Sequence, residues 1–244
     1  MCTNFVPSAR TDFLAQRLGA VTPAGRDWPA ETYPGYAAPV VVRSAGGASV
    51  QLAQFGLIPP WSRDAHHARE LARGTYNARS ETVALKPSFR NAWAARQWAL
   101  VPMECFFEPC WEDAAQQGGR ATRWRIALRD GEPFAVAGLW ERWTDKLSGE
   151  QADSFTLLTV NADGHPLMGR MHRPGEEKRI PVIVPPAHYA DWLHASPQQA
   201  MAFMQSYPAQ DMQGEPAPVL RTPKTTRPAK HPDRPAPPEN LSLF

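Results

Sequence analysis

Residues 97–102 (QWALVP), 122–128 (TRWRIAL), 134–140 (FAVAGLW) and 154–160 (SFTLLTV) decide the fold. Each is a short apolar run rich in β-branched and aromatic residues, too brief for a buried helix, and turn formers such as Asp130-Gly131-Glu132-Pro133 separate them. They read as four strands. Working outward, 38–43 (APVVVR) and 49–56 (SVQLAQFG) are two more, with Gly46-Gly47 as the hairpin turn, and 180–184 (IPVIV) is another. Helical patterning is scarce. It covers 8–18 (SARTDFLAQRL), capped by Ser8 or Thr11, and 65–73, 187–194 and 197–205. Pro59-Pro60-Trp61 marks a loop. Many strands and few, short helices predict an α+β fold, a mainly antiparallel barrel-like sheet with short flanking helices, rather than alternating βαβ units.

The 244 residues are enough for one full core. No apolar run is long enough to span a bilayer, and the opening MCTNFVPSAR lacks the basic and apolar regions of a secretory signal. Three cysteines, with Cys105 and Cys110 five apart, fit neither a disulfide framework nor a zinc pair. A reduced, cytoplasmic compartment with no metal and no cofactor is the expectation. Net charge is +2, but the stretch from Arg63 to Arg96 carries seven basic residues against Asp64, Glu70 and Glu81. Such a patch suits a groove that follows a phosphate backbone, or a solvated face. From residue 216 on, eight prolines and five basic residues stand against two acids, a composition that cannot bury a core. The expected organisation is a folded domain at 1–220 and a Pro-rich basic tail at 221–244.

Cys2 lies directly behind the initiator methionine, which is generally trimmed before a small residue. The mature chain then begins with an α-amine of pKa about 7.7–8.0 beside a thiol of pKa about 8.5. An amine condenses with an aldehyde to an imine, and an adjacent thiol closes onto that imine as a five-membered thiazolidine. Position 2 carries little weight alone. Three further segments hold polar residues in unusual company: TYNARSET at 75–82, VPMECFFE at 101–108 and MHRPGEEKRIPVIV at 171–184.

With the opening MC, FGLIPPW at 55–61 and AGLWERW at 137–143, these stretches closely resemble the SRAP (SOS response-associated peptidase) family of abasic-site processing proteins. The matches run in order from residue 1 to about 220. The resemblance implies a compact β-barrel-like fold, a basic groove for single-stranded DNA and an N-terminal cysteine that crosslinks to an abasic site. It assigns Cys2 as the nucleophile, Asn77 as the group that orients the amine or donates to the sugar oxygen, and Glu108 and His172 as the proton carriers. The residues allow these roles. Glu108 is flanked by Phe106, Phe107 and Pro109, a setting that desolvates a carboxyl group and raises its pKa. Glu104 and Glu112 compete with it, and His165 competes with His172. Residues Pro174 to Lys178 separate His172 from Arg179, more than in the shortest family versions, so the local loop geometry stays open.

Arg79 follows Asn77 by two and is expected to meet phosphate from the same side of an extended segment. Trp61 is a candidate for stacking on a base or for core packing. Arg63, Lys86, Arg90 and Arg173 are further phosphate candidates. Many family members carry arginine at position 4, near the DNA; Asn4 stands here and offers only a hydrogen bond. The final Asn240-Leu241-Ser242-Leu243-Phe244 is similar to the bacterial sliding-clamp pentapeptide, so a clamp partner is a further expectation. Three activities remain open: a crosslinking enzyme acting on abasic single-stranded DNA at the nucleoid, an autocatalytic thiol peptidase using its own α-amine as base, and a non-catalytic single-strand binding module.

Overall fold

The computed structural model describes residues 2–21, 28–112, 114–115 and 118–217. Its strands are β1 (Asn4–Pro7), β2 (Ala20–Val21), β3 (Ala37–Ser44), β4 (Gly47–Phe55), β5 (Asn77–Arg79), β6 (Trp98–Cys110), β7 (Thr122–Leu128), β8 (Phe134–Thr144), β9 (Gln151–Asn161), β10 (Arg179–Pro181), β11 (Ile183–Val184) and β12 (Met212–Pro216). The helices are α1 (Ala65–Ala72), α2 (Arg90–Ala94), α3 (Tyr189–His194) and α4 (Pro197–Ala202). The order β8-β9-β4-β3-β6 closes on itself because β6 pairs back onto β8. The result is the expected α+β architecture: a five-stranded barrel, antiparallel except for the β4–β9 seam, with extra strands and short helices around it. Leu100, Leu139, Leu157 and Val41 are fully buried in its core, where Phe55 stacks on Phe155 at 5.1 Å.

β6 positions the chemistry. Its first half lies in the barrel wall between β3 and β8. Its second half leaves the barrel and is sandwiched between β1 and β7. Apart from Glu104 and Pro109 every residue of β6 is buried, so both of its faces are covered and its sequence shows little polar alternation. The short run at 97–102 therefore continues through Glu104 and Glu108 to Cys110.

Several expected elements are corrected. The segment 8–18 holds a π-helical turn at Phe13–Arg17 without a side-chain cap. The wide turn, closed by Leu18 N–H to the Phe13 carbonyl at 3.2 Å, buries Phe13, Leu14 and Leu18 together. Ser8 Oγ accepts instead from the Arg10 N–H. The hairpin loop is Ala45-Gly46, because Ser44 and Gly47 already face each other as the last pair. The run 180–184 splits after Pro181: β10 pairs β9 and β11 pairs β8, with Val182 bonded to both neighbours. The tail from 218 onward, including Asn240 to Phe244, lies outside the described residues. Among those described, no helix is long and apolar enough to cross a membrane.

Gly56 shows why the FGLIPPW stretch needs glycine. It has φ +119°, and a Cβ there would lie 2.4 Å from the Ala72 carbonyl oxygen at the end of α1. Both conformation and space exclude a side chain. Gly56→Ala is expected to lower the unfolding free energy by about 3 kcal/mol. A urea midpoint within error of the parent protein would refute this account.

Candidate active site

Three strands and one loop converge at the far end of β6. β1 pairs with β6 in the register Asn4 to Phe107, which carries Cys2 to the end of the strand beside Glu108. β5 lies parallel to β9 with Asn77 opposite Leu157, which turns the Asn77 amide toward the N-terminal strand. Its Nδ2 donates to the Cys2 carbonyl oxygen at 2.8 Å. The loop at Met171 and His172 is tied to the same end of β6. Met171 bridges Cys110, and the His172 N–H donates to the Pro109 carbonyl at 2.8 Å. Cys2, Asn77, Glu108 and His172 thus come from four distant points of the sequence to one buried cluster.

The cluster's electrostatics follow from burial. Cys2 is 1% exposed; burial, and after it the Glu108 carboxylate, push its thiol well above the ordinary range. Burial raises Glu108 to about 7 and lowers His172 to about 4. His172 Nδ1 lies 3.4 Å from Glu108 Oε2. With these values the contact is no ion pair at any pH above about 4: the imidazole is already neutral there, and the carboxyl group gives up its proton only around pH 7. Among the described residues, the buried Asn77 Oδ1 has no hydrogen-bond donor, which leaves an acceptor open beside Cys2.

His172 sits at φ +61°, a left-handed conformation that costs a non-glycine residue about 1–2 kcal/mol. Contacts on both sides hold it. Its Nε2 lies 3.4 Å from the Arg179 carbonyl, and Lys178 Nζ donates to the carbonyls of His172 and Arg173 at 3.2 and 2.7 Å. The extra residues before Arg179 therefore form a braced loop. Arg179 itself is buried, held bidentately by Glu81 and also by Glu177 and the Thr159 carbonyl.

The remaining candidates are placed as follows. Arg79 is exposed and ion-paired with Glu177 at 2.7 Å. Trp61 is 42% exposed on its loop, its indole donating to the Pro87 carbonyl, so it is no core residue. Arg63 contacts His67, and Lys86 and Arg90 are exposed near the start of α2. Arg173 stacks over Trp111 at 4.9 Å. Asn4 is buried: its amide donates to Glu31 and to the Thr32 carbonyl, while its Oδ1 accepts from Arg123 at 2.6 Å. Of the competitors, Glu112 is exposed and bound bidentately by Arg170, and His165 accepts backbone N–H groups of Leu167 and Met168.

Sequence reasoning missed Arg123, which lies flat on Phe107 at 3.3 Å and bridges Asn4 to Glu31. It also missed Arg170 over Trp124. The alternation Thr122-Arg123-Trp124-Arg125 was the available signal, since it puts both arginines on one strand face. Among the described residues no group of three or more His, Cys, Asp or Glu is arranged for a metal ion. A cavity of about 580 Å³ between Ile183, Phe203 and Tyr207 is lined by none of the four clustered residues.

Known proteins bear on this geometry. The sequence model of the SOS response associated peptidase (SRAP) family matches residues 1–219. The abasic site processing protein YoqW of Bacillus subtilis is 28% identical over 179 residues, 72% of each chain. YobE of the same organism, also an abasic site processing protein, is 30% identical over 163 residues, 66% of this chain and 67% of its own. A crystal structure of a Bordetella bronchiseptica protein superposes with a TM-score of 0.81 at 33% identity, covering 89% of this chain and all of that one. One from Bacteroides thetaiotaomicron gives 0.75 at 25% identity, covering 87% and 90%.

Proposed function

The chain belongs to the SRAP family, and from that premise we propose that it binds single-stranded DNA and captures abasic sites covalently through Cys2. The observation that carries this reading is the juxtaposition of Cys2 with Asn77, Glu108 and His172 in one buried cluster. Once Met1 is removed, the Cys2 amine attacks the C1′ aldehyde of the ring-opened sugar. Asn77 Oδ1 accepts an N–H and orients the amine's lone pair. As the N–C1′ bond forms, neutral His172 takes one amine proton and passes it to the alkoxide; Glu108 then protonates the resulting hydroxyl, water leaves, and the second amine proton returns to the Glu108 carboxylate, giving the imine. The thiol then adds to the imine carbon: the S–C1′ bond forms and the thiol proton passes to nitrogen, closing the thiazolidine. The same carboxyl acid, donating to the ring, is equipped to reverse the linkage.

A buried thiol held in its protonated form is poorly suited to direct attack on a peptide, which favours this order of steps over a thiol peptidase. For the strand, we assign Arg79, Arg63, Lys86, Arg90 and Arg173 to phosphates and Trp61 to a base. Arg79 exchanges Glu177 for a phosphate when the strand enters. Asn4 acts by fixing Arg123 rather than by touching DNA. We extend the proposal to a cytoplasmic protein acting at the nucleoid, with a clamp contact through Asn240 to Phe244.

The test is a single-stranded oligonucleotide with one central abasic site, incubated with purified protein and run on a denaturing gel. A shifted band is expected with the aldehyde-bearing oligonucleotide, and none after its aldehyde has been reduced to an alcohol. Absence of any band, together with cleavage of a peptide substrate, would favour the peptidase. Salt-sensitive binding without a covalent band would leave only a binding module.

A further inference from the structure

A second feature lies beside the cluster. Residues Tyr33-Pro34-Gly35-Tyr36 form a tight turn, with the Tyr36 N–H donating to the Tyr33 carbonyl at 2.9 Å. Proline at the second position and Gly35 at φ +92° at the third are the requirements of a type II turn. The turn is rigidly seated on the barrel. Gly35 N–H donates to the Phe55 carbonyl at 2.7 Å, and Phe55 N–H donates to the Tyr36 carbonyl at 2.8 Å. Both tyrosine rings are left outside, 39% and 48% exposed, meeting edge to face at 5.7 Å.

Opposite the turn stands the second half of α1. Arg69 and Arg73, four apart, share one helix face. Pro34, Gly35, Gln54, Arg69, Ala72 and Arg73 enclose a cleft of about 240 Å³. Among the described residues neither guanidinium has a carboxylate partner, whereas Arg79, Arg123, Arg170 and Arg179 all do. The neighbouring acids are engaged elsewhere. Glu70 faces His66, and Glu31 takes Arg123 and the Tyr33 hydroxyl.

Both walls are tied to the cluster by short chain. Arg73 precedes Asn77 by four residues, which limits their Cα separation to about 14 Å. On the other wall, Thr32 exchanges two backbone hydrogen bonds with Phe5, three residues from Cys2. A strand whose damaged sugar lies at Cys2 therefore reaches this cleft within a few nucleotides.

We propose that the cleft is a flanking-nucleotide subsite, where a base of the undamaged strand stacks against Tyr36 and Tyr33 while its phosphates meet Arg69 and Arg73. Aromatic faces accept any base, and two unpaired guanidinium groups supply the charge, so the subsite adds affinity without choosing sequence. The inference rests on the single-strand reading above, and it predicts that binding and capture separate.

The test uses the full chain, with undamaged oligonucleotides for affinity at several salt concentrations and saturating abasic oligonucleotide for the rate of adduct formation. Arg69 and Arg73 are exposed, so the double variant Arg69→Ala/Arg73→Ala keeps the fold. It is expected to raise Kd for undamaged strand about 10-fold at low salt and to flatten the log–log salt dependence by about 1.4. Tyr36→Ala is expected to raise Kd about 5- to 10-fold with the salt slope unchanged. The saturated adduct rate stays the same in both. Unchanged affinity and slope in both variants, with normal capture by the parent protein, would overturn the subsite. If the parent protein forms no adduct but the variants still lose affinity, the subsite stands and the abasic reading falls.

Discussion

Replacing Cys2 with alanine is expected to lower the stable DNA adduct by at least about 10³-fold, because in the proposed scheme ring closure by the thiol is what holds the sugar. The α-amine survives in this variant, so imine formation continues. An imine in water hydrolyses, whereas a thiol held two carbons from the imine nitrogen captures the imine carbon intramolecularly, with the advantage of effective concentrations far above any free thiol. The state of the thiol supports this order of steps. Cys2 is buried, and burial keeps its proton on, helped by Glu108 once that group ionises above about pH 7, so the amine is the better first nucleophile at neutral pH. Borohydride therefore separates the two bonds. Cys2→Ala should give no band without reductant and a clear band when the imine is trapped by reduction. Cys2→Ser, with a weaker nucleophile of similar size, should lie between. A full-strength adduct in Cys2→Ala without borohydride would remove the thiazolidine from the scheme. The substitution deletes one sulfur atom from a packed site at a cost of about 1 kcal/mol, too little to unfold the protein.

The strands were legible where an apolar run lies between turn residues. β7 occupies 122–128 as expected, and β8 and β9 contain theirs. Legibility failed where tertiary contacts create the element. β1 and β5, only a few residues long, become strands because β6 and β9 offer them free edges. β6 looked half its length because Glu104 and Glu108 interrupt the apolar run; the aromatic neighbours of Glu108 pointed to its desolvation, but not to a strand that continues through it. The candidate site was legible through motifs: the residues brought together at Cys2 are those that the family resemblance named. Their partners were not. Arg179 and Glu81 meet across nearly a hundred residues, and Glu177 reaches Arg79 only because the loop between His172 and Arg179 folds back toward it. The positive φ of His172 depends on Lys178 bracing two carbonyls, a contact no periodicity encodes. Tyr33 and Tyr36 carry no signal in the sequence; the seated turn is what leaves both rings exposed.

Glu108→Gln is expected to slow adduct formation about 10²- to 10⁴-fold and to change the shape of its pH profile. The two proton carriers are shifted in opposite senses by the same burial, Glu108 up to about 7 and His172 down to about 4. Between those values the carboxyl group holds its proton and the imidazole does not, as the proposed roles of Glu108 as acid and His172 as base require. The attacking amine must also be neutral, and its pKa is about 7.7–8.0. The parent rate at saturating DNA should therefore rise as the amine deprotonates and fall as Glu108 does, a bell with its maximum between about pH 7 and 8. Glutamine cannot donate as an acid, so the alkaline fall should vanish and the residual rate should level off above about pH 8. Stability gives an independent check. Glu108's raised pKa contributes stability that is complete below its unfolded value of 4.5 and is lost as pH rises through about 7. His172's lowered pKa contributes stability present above 6.5 and lost as pH falls through about 4. Between 4.5 and 6.5 the two slopes oppose each other, so the parent protein's urea midpoint should be nearly flat there. In Glu108→Gln only the histidine slope remains, and the midpoint should climb with pH across that window. A residual bell in the variant's rate, or a loss smaller than about 10-fold, would move the acid role to another group.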